Sequence, residues 1–267
     1  MIGVMASTTT LSRPESPIRR RLTGAQITTV EAVADLYCAT PYDIARWLCG
    51  AEPKETYVRS VRYGLQSLMD NPRTPYLRKY RFGATSLYGL SQAGAAFARH
   101  RGVAEARLFG IRDFEHEHIL TLIHLSLREF CVAHGFRLQW EQPLLDFSKQ
   151  INPDAIVTVT TAKGAYTFCI EVERQSFSEN HLKKAQKYHD VFGTPEALNL
   201  IGAEKFYAVF ATETYRKANT VLEKLGAKYP YRMFWVTTSE LLATKLDAAI
   251  FRTPKDHKTA SYSLLDI

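Results

Sequence analysis

Three acids and a group of lysines near the middle of the chain have the residue types of a phosphate-directed site. Asn152-Pro153-Asp154 opens an apolar run, Ala155-Ile156-Val157-Thr158-Val159-Thr160, and a turn at Ala162-Lys163-Gly164 leads into Tyr166 to Glu173. Both runs are rich in β-branched and aromatic residues, so they read as a hairpin. In its second strand Phe168, Ile170 and Val172 share one face, while Glu171 and Glu173 share the other, roughly 7 Å apart. Pairing that sets Asp154 beside them gathers three carboxylates, which need a cation, a proton or strong hydrogen-bond donors. The next helix, Glu179 to Phe192, carries Lys183, Lys184, Lys187 and Tyr188, and Lys184, Lys187 and Tyr188 fall on one face. Carboxylates facing lysines suit a divalent metal and a phosphate held together. The roles then follow: Asp154 and Glu171 as Mg²⁺ ligands, Glu173 as a further ligand or water-orienting group, and Lys184 or Lys187 opposite the charge growing on phosphate. The same alternation also describes a sheet face exposed to solvent. The apolar character of both runs favours central strands covered on both faces.

Several elements must position these residues. Asp113 to His134 reads as a long helix with Ile119, Leu122, Ile123, Leu127, Phe130 and Cys131 as its buried stripe. Glu117 and His124, on an adjacent face, are its candidates for reaching a site. Gly135 ends that helix and Phe136 to Trp140 reads as a strand. Lys205 to Thr212 and Arg232 to Thr237 are further strands, separated by an amphipathic helix over Glu213 to Tyr229. A last helix, Glu240 to Ala249, takes Ser239 as its cap, and Ile250 to Arg252 adds an edge strand. This order predicts a mixed sheet with helices over both faces. Trp140 and Trp235 read as core, and His181 and His189 as surface side chains.

The first part of the chain has a different pattern. Of the net charge of +7, residues 1–105 hold +6, from 14 Lys and Arg against 8 Asp and Glu. That bias suits contact with a polyanion. Residues 1–23 mix Ser, Thr, Pro and Arg and read as a basic disordered arm. From 24 to 105 short helices follow: one capped by Thr28 or Thr29, one started by Thr40-Pro41 and ended by Gly50, and one from Lys54 to Met69. The third buries Val58, Val61, Leu65 and Leu68 and shows Lys54, Thr56, Tyr57, Arg59, Ser60 and Arg62 on its other side. Asn71 to Pro75 is a turn. Tyr76 to Arg81 and Thr85 to Leu90 then form a ribbon bearing Arg78, Lys79 and Arg81, and a helix reaches His100. Helix, helix, helix, ribbon, helix is the order of a winged helix that places its third helix in the major groove of duplex DNA. Residues 101–112 read as a linker or a short bridging helix, and 106–267 as the second domain.

The segment 24–105, with the step Leu90-Ser91-Gln92-Ala93-Gly94 after the ribbon, resembles the winged-helix half of the bacterial plasmid replication-relaxation family. The second half resembles the restriction-endonuclease-like superfamily, whose sites pair Pro-Asp with a later acid-x-acid or acid-x-lysine; Pro153-Asp154 and Glu171-Val172-Glu173 match these elements. Glu117 stands where such folds carry an acid on the first helix. Glu173 departs from the common lysine, which leaves Lys184 or Lys187 as the substitute. The resemblance implies a DNA-binding accessory protein of plasmid replication or conjugative mobilisation, acting with a relaxase or replication protein. It equally admits a Mg²⁺-dependent nuclease or nickase, or a transcriptional regulator with a non-catalytic second domain, so whether the chain is an enzyme stays open. A homodimer is compatible, but no heptad run demands one.

Composition closes other possibilities. The chain of 267 residues is 46% hydrophobic and 12% aromatic, values of an ordinary globular protein. No run approaches a membrane span, and the first twenty residues lack a secretory pattern, so a cytoplasmic protein is expected. Cys38, Cys49, Cys131 and Cys169 have no ligand spacing and read as buried free thiols.

Overall fold

The computed structural model describes residues 22–70, 75–103, 106, 108, 113–143, 151–174, 179–256 and 260–266. The basic arm up to 21, most of the turn at 71–75 and much of the linker lie outside them.

Helix α1 (Gly24–Leu36) is capped by Thr23, not Thr28 or Thr29. Thr23 and Gln26 exchange the reciprocal bonds of a capping box, whereas Thr28 and Thr29 turn their hydroxyls back onto Gly24 and Ala25 carbonyls. A two-residue strand, β1 (Cys38–Ala39), precedes α2 (Pro41–Cys49), where Thr40 and Asp43 form a second capping box. Helix α3 (Glu55–Met69) buries Val58, Val61, Leu65 and Leu68 on one side, as its spacing predicts. Strands β2 (Leu77–Phe82) and β3 (Thr85–Leu90) form the ribbon. With β1 they make an antiparallel sheet of order β1-β3-β2. Helix α4 (Gln92–His100) closes this part. Its Gly94 is required by close approach: a Cβ there would stand 2.0 Å from the Tyr76 carbonyl oxygen.

Helix α5 (Phe114–Ala133) leads into a five-stranded mixed sheet: β4 (Arg137–Glu141), β5 (Ala155–Thr161), β6 (Gly164–Glu173), β7 (Tyr207–Thr212) and β8 (Phe234–Thr238), side by side in that order. The first three strands are antiparallel neighbours, and β6, β7 and β8 run parallel. Helices α6 (Glu179–Val191), α7 (Pro195–Ile201), α8 (Tyr215–Lys228) and α9 (Ser239–Thr244) complete the fold. The alternation of β6 is obeyed. Phe168, Ile170 and Val172 join one core with α5 and α9 residues such as Ile123, Leu127 and Leu242. Cys169 joins the opposite core with Tyr188 of α6 and Leu222 of α8. A truncation such as Ile170→Ala in a strand covered this way costs about 2–5 kcal/mol.

Three further expectations need correction. The last helix is capped by Thr238 and stops at Thr244; Thr238 reaches the Leu241 amide, while the Ser239 hydroxyl bonds the Ala211 carbonyl. Ile250 to Arg252 makes single bridges to Val236 and Tyr262 rather than a strand. Cys49 is exposed, unlike the other three cysteines.

Helix α5 belongs to both parts. Its Leu125 sits in the core of α1 to α4, while Leu120, Ile123, Leu127 and Phe130 sit under the large sheet. The Thr121 hydroxyl bonds the carbonyls of Leu36 and Cys38 at 2.9 and 2.6 Å. Arg46 grips Glu129 through two N–H groups, and His118 meets the buried Asp43 at 3.0 Å. Burial works against the Asp43 carboxylate, but His118 and the Thr40 donors outweigh it and hold its pKa below the usual range.

Candidate functional site

The three acids do converge. Ala155 pairs with Ile170, which sets Asp154 beside the end of β6. The Asp154 amide donates to the Ile170 carbonyl at 3.0 Å, and its carboxylate accepts the Val172 amide at 2.7 Å. Asp154 is thereby fixed by main-chain bonds at the start of β5, next to Glu171 and Glu173.

Each acid has a partner. Glu171, with no exposed surface, accepts Lys184 Nζ at 2.6 Å and the Tyr188 hydroxyl at 2.5 Å. Glu173 meets His181 at 2.5 Å and Lys184 at 3.3 Å. Asp154 meets His116 Nε2 at 3.1 Å, and the other nitrogen of that ring lies 3.8 Å from Glu117. The cluster thus draws Lys184, His181 and Tyr188 from α6 and His116 from the first turn of α5. Arg174, just after β6, pairs with Asp113 and Glu115 at the head of α5 and so pins that turn to the sheet. Its carbonyl accepts Lys217 Nζ of α8 at 2.6 Å.

The electrostatics follow from burial and pairing. Burial pushes the Glu171 carboxyl up to about 8 despite Lys184, and Asp154 adds to the rise. Burial opposes the Lys184 ammonium, but Glu171, Glu173 and Asp154 outweigh it and raise its pKa. For Glu173, burial is overcome by His181 and then Lys184, so it stays below the usual carboxylate range. The His116 ring is also opposed by burial, and Asp154 and Glu117 carry it up to about 10. The cluster therefore keeps its lysine and His116 charged and makes Glu171 its most readily protonated acid.

The sequence-selected residues divide accordingly. Asp154, Glu171, Glu173 and Lys184 come together, and Glu117 stands one ring away behind His116. Lys187 is exposed on α6. His124 is buried and lies against Trp140, far along α5 from His116. His181 is buried, not on the surface, because Glu173 draws its ring inward. His116 escaped the sequence reading, although a histidine beside Glu117 on the helix expected to carry a site acid was a usable signal.

Mg²⁺ fits this cluster in donor chemistry, since carboxylate oxygens are its preferred ligands. It does not fit the arrangement. Lys184 occupies Glu171 and Glu173, His116 occupies Asp154, and the described residues offer no group of three or more His, Cys, Asp or Glu side chains placed to hold a metal ion.

On the other part of the molecule, Lys54, Thr56, Tyr57, Arg59 and Arg62 are exposed along α3, and Arg78, Lys79 and Arg81 along β2. Arg62 pairs only with the equally exposed Glu55. The ribbon is anchored: the Tyr80 and Phe82 rings each lie 5.9 Å from the Phe114 ring, centroid to centroid. Phe114 starts α5 two residues before His116, so the basic ribbon adjoins the acidic cluster through one helical turn.

No helix among the described residues is long and apolar enough to cross a membrane. No protein-family model and no curated protein matches the chain. Among solved structures, restriction endonuclease FokI aligns at 10% identity with a TM-score of 0.33, over 90% of this chain and 44% of FokI. The chain thus spans less than half of that protein, and a likeness this distant transfers neither fold nor function.

Proposed function

We propose that the chain is a duplex-DNA-binding accessory protein of plasmid replication or conjugative mobilisation, with residues 24–105 acting as a winged helix and 106–267 as a restriction-endonuclease-like second domain. The carrying observation is the two-sided character of α3. Val58, Val61, Leu65 and Leu68 face the core, while Lys54, Thr56, Tyr57, Arg59 and Arg62 stand in solvent. A helix of this kind enters the major groove, where arginines reach base edges and the other polar groups meet phosphates. Arg78, Lys79 and Arg81 then lie along the neighbouring phosphates and hold the register without reading sequence. The plasmid setting, and a relaxase or replication protein as partner, rest on the sequence resemblance alone. Assembly as a homodimer belongs to the same reading.

In this reading the acidic cluster is a neutralised knot: each carboxylate has a cationic or phenolic partner, so the second domain holds DNA in an assembly without cutting it. A second reading, a metal-dependent nuclease, is favoured by the ribbon packing on Phe114 beside the His116–Asp154 pair. It requires Lys184 and His116 to give up the acids they hold.

The test combines binding and cleavage. Anisotropy of a labelled duplex across a NaCl series should show affinity falling steeply with salt, and Arg59→Ala/Arg62→Ala should weaken it. Salt-insensitive binding, or none, would refute the DNA reading. Incubation with supercoiled plasmid and Mg²⁺ or Mn²⁺ should leave the DNA intact. Metal-dependent nicking lost in Asp154→Asn/Glu171→Gln would replace the accessory reading with the nuclease.

A further inference from the structure

A cavity of about 480 Å³ opens between the two parts, lined by no residue of the acidic cluster or the basic face. The C-terminal end of α1 and Trp47 of α2 form one side; His124 and Arg128 of α5 and the edge strand β4 form the other. Its size is that of a small-molecule site, and junctions between structural units are where such sites occur. The Trp140 indole stacks on His124 at 4.4 Å and 4°, and Trp47 meets the same imidazole edge-on at 5.1 Å. Burial, and then Arg128, push His124 down to about 3, so the ring is a neutral part of this aromatic wall.

Three further features bear on what the cavity accepts. The Arg128 guanidinium lies 4.0 Å from the Trp47 ring and donates to the Trp47 carbonyl, so the protein's own planar cation already occupies one indole face. Two carboxylates, Asp35 and Glu141, line the cavity against that one guanidinium. Glu141 accepts the Gln139 amide, whereas the Asp35 carboxylate has no hydrogen bond or ion pair among the described residues. Burial and then Glu31 raise Asp35 to about 6, and Arg128 offsets them only in part. Tyr37, also in the lining, is the one non-glycine residue with positive φ among those described, at 63°. Backbone strain of this kind gathers at ligand sites.

We propose that this cavity binds a small planar organic cation, an aromatic amidine or aminoheterocycle, with its ring against the Trp140–His124–Trp47 wall and its charge on Asp35. Bound there, it touches α1, α2, α5 and β4 together and ties the N-terminal helices to the edge of the large sheet. The proposal does not depend on DNA binding, because its test contains no DNA.

The test uses the full chain with three probes: benzamidine as planar cation, benzoate as planar anion and putrescine as flexible cation. Tryptophan fluorescence and thermal unfolding are followed as each is titrated. Benzamidine should quench saturably and raise the melting temperature, with benzoate and putrescine at least tenfold weaker. Asp35→Asn, which keeps the side chain's shape and breaks no hydrogen bond or ion pair among the described residues, should weaken benzamidine about tenfold, and Trp140→Leu should reduce the quenching. Equal binding of benzoate or putrescine, unchanged affinity in Asp35→Asn, or no saturable response to benzamidine would overturn the assignment.

Discussion

On α3 and β2 the cations Lys54, Arg59, Arg78, Lys79 and Arg81 stand in solvent, whereas the ionic groups behind β6 interlock around the buried Glu171 and His181, with Lys184, Glu173 and Asp154 half-buried beside them. The exposed face leaves stability almost untouched and keeps its charge available to a partner. In the cluster, the desolvation of Glu171 is offset only by Lys184 and Tyr188, so each partner matters to the fold itself. Acids and bases of the same types thus have opposite physical meaning in the two regions, and availability rather than number separates the surface from the cluster.

Substitutions can break or sharpen this contrast. Lys184→Ala leaves the buried Glu171 with Tyr188 alone and Glu173 with His181 alone, and should destabilise the chain by about 3 kcal/mol, read from urea unfolding. A loss below about 1 kcal/mol would place the cluster with the surface pairs. Tyr188→Phe removes one donor from Glu171 and should cost about 1–2 kcal/mol in the same measurement.

His124 brings a pH dependence. Its pKa lies near 3 in the fold, below the ordinary histidine value of 6.5. Below 6.5 the unfolded chain takes up a proton that the folded chain refuses, so this residue lowers stability progressively as pH falls from about 6.5 to 3. His124→Phe should remove that component. Measured as urea midpoints at pH 7 and 4.5, the variant should lose about 2 kcal/mol less than the parent. Parallel losses would show His124 already protonated at pH 4.5.

The smallest effect on stability belongs to the surface. Arg78→Ala/Lys79→Ala/Arg81→Ala should change unfolding free energy by no more than about 0.5 kcal/mol. The same variant should reduce the slope of log affinity against log salt by up to about 3. An unchanged slope would remove the ribbon from the DNA-binding face.

Much of this contrast was legible in the sequence, and for definite reasons. The i, i+3, i+4 stripe of α3 and the two-residue alternation of β6 are local patterns, so the sidedness of Glu171 and Glu173 followed directly. Pro153-Asp154 at the head of a strand placed the third acid. Long-range pairing was harder to read. Strand β1 is two residues long, too short for any period, and exists because Cys38 and Ala39 pair with Gly89 and Tyr88. His181 is indistinguishable from a surface histidine until Glu173 stands opposite it. Trp140 read as core, but β4 is the edge strand, and its indole became a cavity wall. Helix α7 was missed despite a local sign, since Thr194-Pro195 repeats the cap-and-proline start of α2.

The shared position of α5 has a consequence for how the chain comes apart. A fragment cut at residue 105 would lose Leu125 from its core, release the Leu36 and Cys38 carbonyls from Thr121, and leave Asp43 without His118. One ending at Gly135 would keep all of these. A cut that leaves the N-terminal core whole therefore falls after α5 rather than before it. With one helix serving both hydrophobic interiors, loss of either removes a wall from the other, and the chain should melt in a single transition rather than as two independent units.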